Sequence, residues 1–497
     1  MKTLTHLLTL ILPFTLASLA ARAQETAVRP EKPADSATSV KRKSFVVEPY
    51  VQLGDAPAES AAETLQVLWH TDDTETAWSL DYRTADYGGW RRAATPAMHR
   101  IALGEIPPHR VYRANLSGLK PGETVEYRVS KSGEPVFAAR AQARKGIDQP
   151  YRFVVFGDCG ANTPGQKAVA YQTHRAQPDF VMIAGDIVYN RGRISEYREK
   201  FWPIYNAEAA APDVGAPLLR STLFLAAPGN HDIQHPDLKE YPDGLAYFYY
   251  WSQPLNGPAL KAGDKNTAKL AGPEENQKAF LDAAASAFPR MANFSFDYGN
   301  AHWTVLDSNP YADWTSSELR QWVERDLAAA RGAAWRFVAF HHPGFNSSKK
   351  HFSEQRMRRM AETFERGGVD VVFTGHVHNY QRAFPIHFQV AATKEGKKKA
   401  TATGANDHVE GRWTLDKSFD GKTRTRPDGV IYLVTGAGGA NLYDPEQTDE
   451  PASWQEFTDK FLARTHSLTI AEVNGRTLTV RQVSGSGDEL DRFIVTR

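Results

Sequence analysis

The chain has 497 residues, 41% of them apolar and 24% charged, with a formal net charge of +1. That length exceeds one ordinary core and predicts two domains with insertions. The near-neutral charge excludes nucleic acid as a default partner, because such binders carry a basic excess. A single cysteine, Cys159, excludes an internal disulfide, so the fold must rest on its apolar core.

In chain order, Lys2, an apolar run over Leu7–Leu19 and the small-x-small pattern Ala21-Arg22-Ala23 predict a signal peptide over residues 1–23. Cleavage there removes Lys2 and Arg22 and makes the mature chain exported, periplasmic or secreted. Residues 24–43 are rich in Ala, Pro, Thr and charge and read as a flexible lead-in. No later segment is long and apolar enough to cross a bilayer.

Residues 44–147 read as an all-β sandwich of fibronectin type III or immunoglobulin-like kind. Apolar and polar residues alternate in Thr64–His70, Trp78–Arg83 and Val125–Val129, the period of half-buried strands. Tyr127, following the turn Leu119–Thr124, resembles a tyrosine corner. From residue 148 to 497 the pattern becomes α/β. Continuous apolar runs appear at Phe153–Phe156, Phe180–Ala184, Leu223–Ala227, Trp303–Leu306, Phe337–Phe340 and Val369–Phe373, as expected of strands buried on both faces. Between them, Leu319, Trp322, Val323 and Leu327 share one helical face behind a Thr315/Glu318 capping box. Residues 234–290 and 386–428 read as insertions, the second carrying Lys394, Lys397, Lys398 and Lys399. Tyr247–Trp251 reads equally as core or as a wall of the substrate cleft. The end returns to strands over Ile431–Val434, Ser467–Val473 and Thr477–Val483.

The informative residues stand at the ends of the buried runs. Asp158 closes the first, Asp186 and Tyr189 the second, and Asn230, His231 and Asp232 the third. His341 and His342 come after the run at 337–340, and His376 and His378 after the last. Ligands of open α/β sheets bind beyond the carboxyl ends of the strands. Five turns thus deliver carboxylates, a phenol, an amide and imidazoles to one edge.

The sequence of motifs Gly157-Asp158, Gly185-Asp186-x-x-Tyr189, Gly229-Asn230-His231-Asp232, His341-x-Pro343 and Gly375-His376-x-His378 resembles the calcineurin-like metallophosphoesterases. Tyr189 and the stretch Gly375–Arg382 resemble the purple acid phosphatases in particular. The resemblance implies an α/β/β/α sandwich catalytic domain behind the β-sandwich, and a two-metal centre bridged by Asp186. It implies Asp158, Tyr189 and His378 on the first metal, and Asn230, His341 and His376 on the second. A phenolate with two carboxylates suits Fe(III) at the first site; the less charged second set suits Zn, Mn or Fe(II). His231 and His351 are implied as groups that bond phosphate or protonate the leaving oxygen, with Asp232 orienting His231. His342 is expected to pack near the site, and Cys159 to be a small buried residue.

The implied activity is hydrolysis of small phosphate monoesters by in-line attack of a metal-activated hydroxide. The alternative is a phosphodiesterase acting on nucleotide or lipid-headgroup diesters with the same metals. A non-catalytic phosphate or glycan binder is the third possibility, disfavoured by the complete ligand set. Oligomeric state and natural substrate are not legible.

Overall fold

Strands that alternate apolar and polar residues bury one face, and the first eight strands bury theirs against one another. They are β1 Val47–Gln52, β2 Glu63–Asp72, β3 Trp78–Thr84, β4 Arg91–Arg92, β5 Ala97–Ile101, β6 His109–Leu119, β7 Thr124–Lys131 and β8 Glu134–Gln142. Two four-stranded sheets result, ordered β1-β2-β6-β5 and β4-β3-β7-β8. Their facing side chains, among them Val67, Trp69, Leu80, Leu116, Val125 and Val129, form one core. The strand order is that of an immunoglobulin-like sandwich. Tyr127 is fully buried, as a tyrosine corner would be. Its hydroxyl instead donates to the carbonyl of Arg220, 2.7 Å away and outside the sandwich.

The computed structural model describes residues 44–497 apart from 105, 235 and 392–407. The expected signal peptide, the lead-in and the lysine run at 394–399 lie outside the described residues. None of the described helices is long and apolar enough to cross a membrane.

Beyond the sandwich, β9 Tyr151–Phe156, β10 Phe180–Ala184 and β13 Leu223–Ala227 run parallel, separated by a small hairpin of β11 Asn206–Ala211 and β12 Gly215–Pro217. With β23 Ser467–Asn474, β24 Thr477–Ser484 and β25 Glu489–Thr496 they make a six-stranded sheet, ordered β13-β10-β9-β23-β24-β25. A seven-stranded sheet is ordered β14-β15-β16-β17-β21-β18-β22. Its members are β14 Phe294–Tyr298, β15 Ala301–Val305, β16 Trp335–Ala339, β17 Val371–Thr374, β18 Tyr380–Ala383, β21 Ile431–Thr435 and β22 Thr458–Leu462. A hairpin of β19 Ile386–Val390 and β20 Gly411–Leu415 is a separate two-stranded sheet within the second insertion.

Odd and even residues of each parallel strand go to different layers, which explains the uninterrupted apolar runs. Phe153, Val155, Phe180 and Met182 meet Trp303, Phe337 and Phe373 of the other sheet in a single core between the sheets. The ring centroids of Phe153 and Trp303 are 5.1 Å apart, and those of Trp303 and Phe337 are 4.8 Å apart. On the outer faces, Val154 and Val181 pack with Val169 of helix Pro164–Ala176, while Val338 and Val372 pack with Leu319, Val323 and Leu327 of helix Ser317–Ala329. The result is the α/β/β/α sandwich. That second helix begins one residue later than the expected capping box allows. Ser316 is its N-cap, accepting from the Leu319 amide at 3.4 Å, and Thr315 donates to Asp313 instead.

Tyr247–Trp251 is core rather than cleft. All five side chains are buried, and the Tyr247 hydroxyl lies 3.1 Å from the Ala226 carbonyl oxygen. These residues share a core with Tyr50 and Leu68 of the sandwich, so Ser44–Arg497 is one compact unit. Arg144, in the connection between β8 and β9, stitches the two parts together. It pairs with Glu63 at 2.7 Å, both side chains 1% exposed, and donates to the Asp297 carbonyl at 3.1 Å. Breaking one half of a buried pair leaves an uncompensated charge and costs about 3–5 kcal/mol. Arg144→Met is therefore expected to lower the unfolding free energy measured in urea by that order, whereas the double variant with Glu63→Met recovers most of the loss.

Candidate metal centre

The parallel strands end together, and the turn after each presents its polar residues to one place. Asp158 follows β9, Asp186 and Tyr189 follow β10, and Asn230 and His231 follow β13. His341 follows β16, and His376 and His378 follow β17. Three of these, Asp158, Asp186 and His376, hold left-handed backbone with φ of 58°, 49° and 66°. Such conformations cost non-glycine residues free energy and persist where the surroundings enforce them. Glycine is required beside them. A Cβ on Gly229 would lie 2.1 Å from Asp186 Oδ1, and one on Gly375 would lie 2.7 Å from Asp158 Oδ2.

The seven residues expected as ligands converge in two groups. In the first, the Tyr189 hydroxyl is 3.1 Å from Asp158 Oδ1 and 3.0 Å from His378 Nε2, and that nitrogen is 3.4 Å from Asp158 Oδ1. In the second, Asn230 Oδ1 is 3.0 Å from His341 Nε2 and 3.1 Å from His376 Nδ1. The carboxylates join the groups. His341 Nε2 lies 3.3 Å from Asp186 Oδ1 and 3.9 Å from Asp158 Oδ1.

The other polar atoms of these residues are bonded outward, which tests whether the set fits cations. His341 Nδ1 faces the Ala184 carbonyl at 2.9 Å, and His378 Nδ1 faces the Asn441 carbonyl at 2.6 Å. His376 Nε2 faces the Glu354 carboxylate at 3.0 Å. Carbonyls and carboxylates only accept, so these nitrogens carry the protons, and neutral rings turn lone pairs inward. The carboxylates are oriented by main-chain donors: His376 N to Asp158 Oδ2 at 2.8 Å, and His231 N to Asp186 Oδ1 at 2.9 Å. Acceptors thus crowd together with too few protons between them, the arrangement that suits positive ions.

The electrostatics agree. Burial raises Asp186, but His341 and His231 beside it outweigh this and hold its carboxyl well below the usual range. Burial lowers His341, yet Asp186 and Asp158 push it up to about 9. A proton on His341 and a cation would therefore compete for the same acceptors. Burial and the adjoining Asp158 and Asp186 raise the Tyr189 phenol well above its ordinary value. His376 is lowered to about 4, chiefly by burial, with Glu354 opposing.

Of the two expected proton carriers, His231 stands at the opening with its side chain 29% exposed. Its Nε2 is 3.9 Å from Asp186 Oδ2, and its Nδ1 faces the Asn190 carbonyl at 2.9 Å. Asp232 does not orient it. Its buried carboxylate accepts from the amides of Ile187 at 3.1 Å and Gly229 at 2.8 Å, so it fixes the turn carrying Asp186. His351 lies on the far side, its ring 4.1 Å from that of His376 and its Nδ1 2.8 Å from Glu354 Oε1. His342 is buried on Ser308 Oγ at 2.9 Å, and Cys159 is buried beside the Ile187 carbonyl.

Two residues escaped sequence reasoning. Glu354 ties His376 to His351, and its only signal was its place three residues after His351. Tyr443 stacks on His378 with centroids 4.0 Å apart and planes 12° apart. It lies in a stretch without periodicity.

Residues 151–380 match the family model described as calcineurin-like phosphoesterase. The chain is similar to probable inactive purple acid phosphatase 27 of Arabidopsis thaliana, 25% identical over 72% of this chain and 59% of that protein. It is also similar to purple acid phosphatase 23 of the same plant, 22% identical over 72% of this chain and 69% of that one. The first match thus spans less than two thirds of the relative's own length. Among solved structures, a purple acid phosphatase from yellow lupin (Lupinus luteus) seeds superposes with a TM-score of 0.62, at 17% identity, over 90% of this chain and 74% of that one. Residues 151–380 are thus similar to the calcineurin-like phosphoesterases, and the chain as a whole is similar to proteins named purple acid phosphatases.

Proposed function

We propose that the protein is an exported hydrolase of phosphate monoesters whose two cations are held by Asp158, Asp186, Tyr189, Asn230, His341, His376 and His378. The observation that carries this reading is the convergence of three imidazole lone pairs, two carboxylates, an amide oxygen and a phenol at the ends of strands from both sheets. Export rests on the pattern of residues 2–23.

A cation pair bound there supplies Lewis acidity, acidifying water and neutralising charge on the phosphoryl group. The chain's own groups do the rest. Asp186 offers one oxygen toward His341 of the second group and the other toward His231 at the opening, so a single carboxylate links a candidate ligand to a candidate proton carrier. With Nδ1 committed to the Asn190 carbonyl, His231 has Nε2 free at the opening to bond a phosphoryl oxygen or pass a proton to the departing alcohol. Glu354 similarly commits Nδ1 of His351 and leaves its Nε2 for the same purpose. Burial of the cluster excludes bulk water and strengthens each of these interactions.

Tyr189 supports Fe(III) at the first site. A phenol whose ionisation is opposed by two carboxylates becomes a phenolate only beside a strongly charged ion, and phenolate with carboxylate is a hard donor set. The second set, with two imidazoles and an amide, suits Zn, Mn or Fe(II).

The purified protein should hydrolyse an aryl phosphate monoester with kcat/KM about tenfold or more above that for the matched diester; a diester preference would replace this reading with a phosphodiesterase. Its visible spectrum should carry a phenolate-to-iron charge-transfer band that Tyr189→Phe removes, and an active, iron-free, colourless enzyme would overturn the Fe(III) assignment alone. Glu354→Gln should weaken the divalent ion about 10–100-fold in metal titrations, as loss of a partner behind a ligating histidine does, while the charge-transfer band persists.

A further inference from the structure

The side chains at the mouth of the centre differ from those inside it. Loop 441–447 carries an aromatic ring, Tyr443, against the cluster, and the neighbouring loop 346–351 carries a cation, Lys350, beside it. Tyr443 is half-buried, its ring flat against His378 and 5.5 Å from that of His351. Lys350 is exposed, with Nζ 5.7 Å from the centroid of the Tyr443 ring.

This wall is pinned at each joint. The Tyr443 amide donates to the His378 carbonyl at 3.1 Å, and the Asn441 carbonyl accepts from His378 Nδ1. Asp444 turns its carboxylate into the neighbouring loop, accepting from the Ser348 hydroxyl and, at 3.2 Å, from the Lys350 amide. Gln447 accepts from the Lys349 amide at 3.1 Å and donates to the Ser347 carbonyl at 3.1 Å. Lys350 is therefore carried by a loop fixed to the loop that touches a candidate metal ligand.

The two adjacent lysines differ in charge balance. Lys349 has Glu446 at 3.4 Å. The Lys350 ammonium has no carboxylate within ion-pair distance among the described residues. The Tyr443 ring thus lies against the candidate ligand His378 and near His351, and the Lys350 ammonium lies beyond it near the same ring.

We infer that Tyr443 and Lys350 form a wall that selects the leaving group, and that the preferred substrates are phosphate monoesters whose alcohol bears a second anionic group, such as a second phosphate. This rests on the phosphomonoesterase reading. Tyr443 supplies a flat, uncharged surface beside the reacting phosphate, and Lys350 supplies the counter-charge for the remote anion.

The matched pair glucose 1,6-bisphosphate and glucose 6-phosphate tests it, with the metal-loaded full chain and release of the 6-phosphate followed for both. At low ionic strength kcat/KM should be about tenfold higher for the bisphosphate, and the ratio should fall toward one in about 0.5 M salt, where screening acts over a few ångströms. Lys350→Met should collapse the ratio, and Lys349→Met, which removes a cation already paired, should leave it in place. Equal constants for the two esters in an active wild-type enzyme, or a ratio that survives Lys350→Met, overturn the inference alone. Hydrolysis of neither ester overturns the phosphomonoesterase reading and this inference with it.

Discussion

Acceptor atoms repel one another unless something positive stands between them, and here they are held together by everything around them. Asp158 and Asp186 are buried side by side at the ends of neighbouring parallel strands, each oriented by a main-chain amide. Three histidines donate outward and direct their remaining lone pairs at those oxygens and at Asn230. The backbone at Asp158, Asp186 and His376 is left-handed, a cost that the close glycine contacts at 229 and 375 leave no room to relieve. Folding thus assembles acceptors that are unfavourable together and that a bound cation would stabilise, so any cation held there would couple its binding to stability.

The two sheets explain why such a site can be rigid. Asp158 N donates to the Gly185 carbonyl at 3.0 Å, Gly375 N to the His341 carbonyl at 3.0 Å, and Gly157 N to the Thr435 carbonyl at 2.9 Å. The first two bonds join adjacent turns within a sheet, and the third crosses from one sheet to the other. Between the sheets, Phe153, Phe180, Trp303, Phe337 and Phe373 fill the interior without polar atoms except the indole nitrogen. Displacing one ligand-bearing turn would disturb an aromatic core shared by all of them, so the ligand positions are set by packing as much as by their own bonds.

Much of this was legible because the same physics writes both patterns. A strand buried on both faces must be apolar throughout, and β10 and β13 coincide with the runs Phe180–Ala184 and Leu223–Ala227. Four strand ends stop at a glycine followed by a candidate ligand, at Gly157, Gly185, Gly229 and Gly375, and β16 runs on through Phe340 into His341. The illegible parts lack periodicity. Glu354 and Tyr443 sit in irregular loops whose positions depend on contacts with His351, His376 and His378, distant in sequence. Asp232 looked like a partner of its neighbour His231, but its carboxylate is taken by the main-chain amides of Ile187 and Gly229. Tyr247–Trp251 was ambiguous because an aromatic cluster reads alike as core and as cleft wall; the Tyr247 hydroxyl found buried carbonyls, and that of Tyr250 found His109 Nε2.

The sandwich acquires a purpose from the topology of the six-stranded sheet. β13 is its edge strand, and it carries Asn230 and His231 at its end. An edge strand exposes a row of unpaired amides and carbonyls and is the part of a sheet most free to shift or pair wrongly. Here that row is covered by side chains. Gln253 accepts from the Ala226 amide at 2.6 Å and donates to its carbonyl at 3.2 Å, and Gln52 of β1 reaches the Phe224 carbonyl at 3.5 Å. The Val51 amide meanwhile donates to the Leu219 carbonyl at 2.9 Å, just upstream of the strand. Tyr50 holds the insertion that supplies Gln253, through the Tyr250 carbonyl at 2.8 Å. The sandwich and the first insertion together do for β13 what a neighbouring strand would do, and so fix the strand on which Asn230 and His231 of the candidate metal centre are mounted.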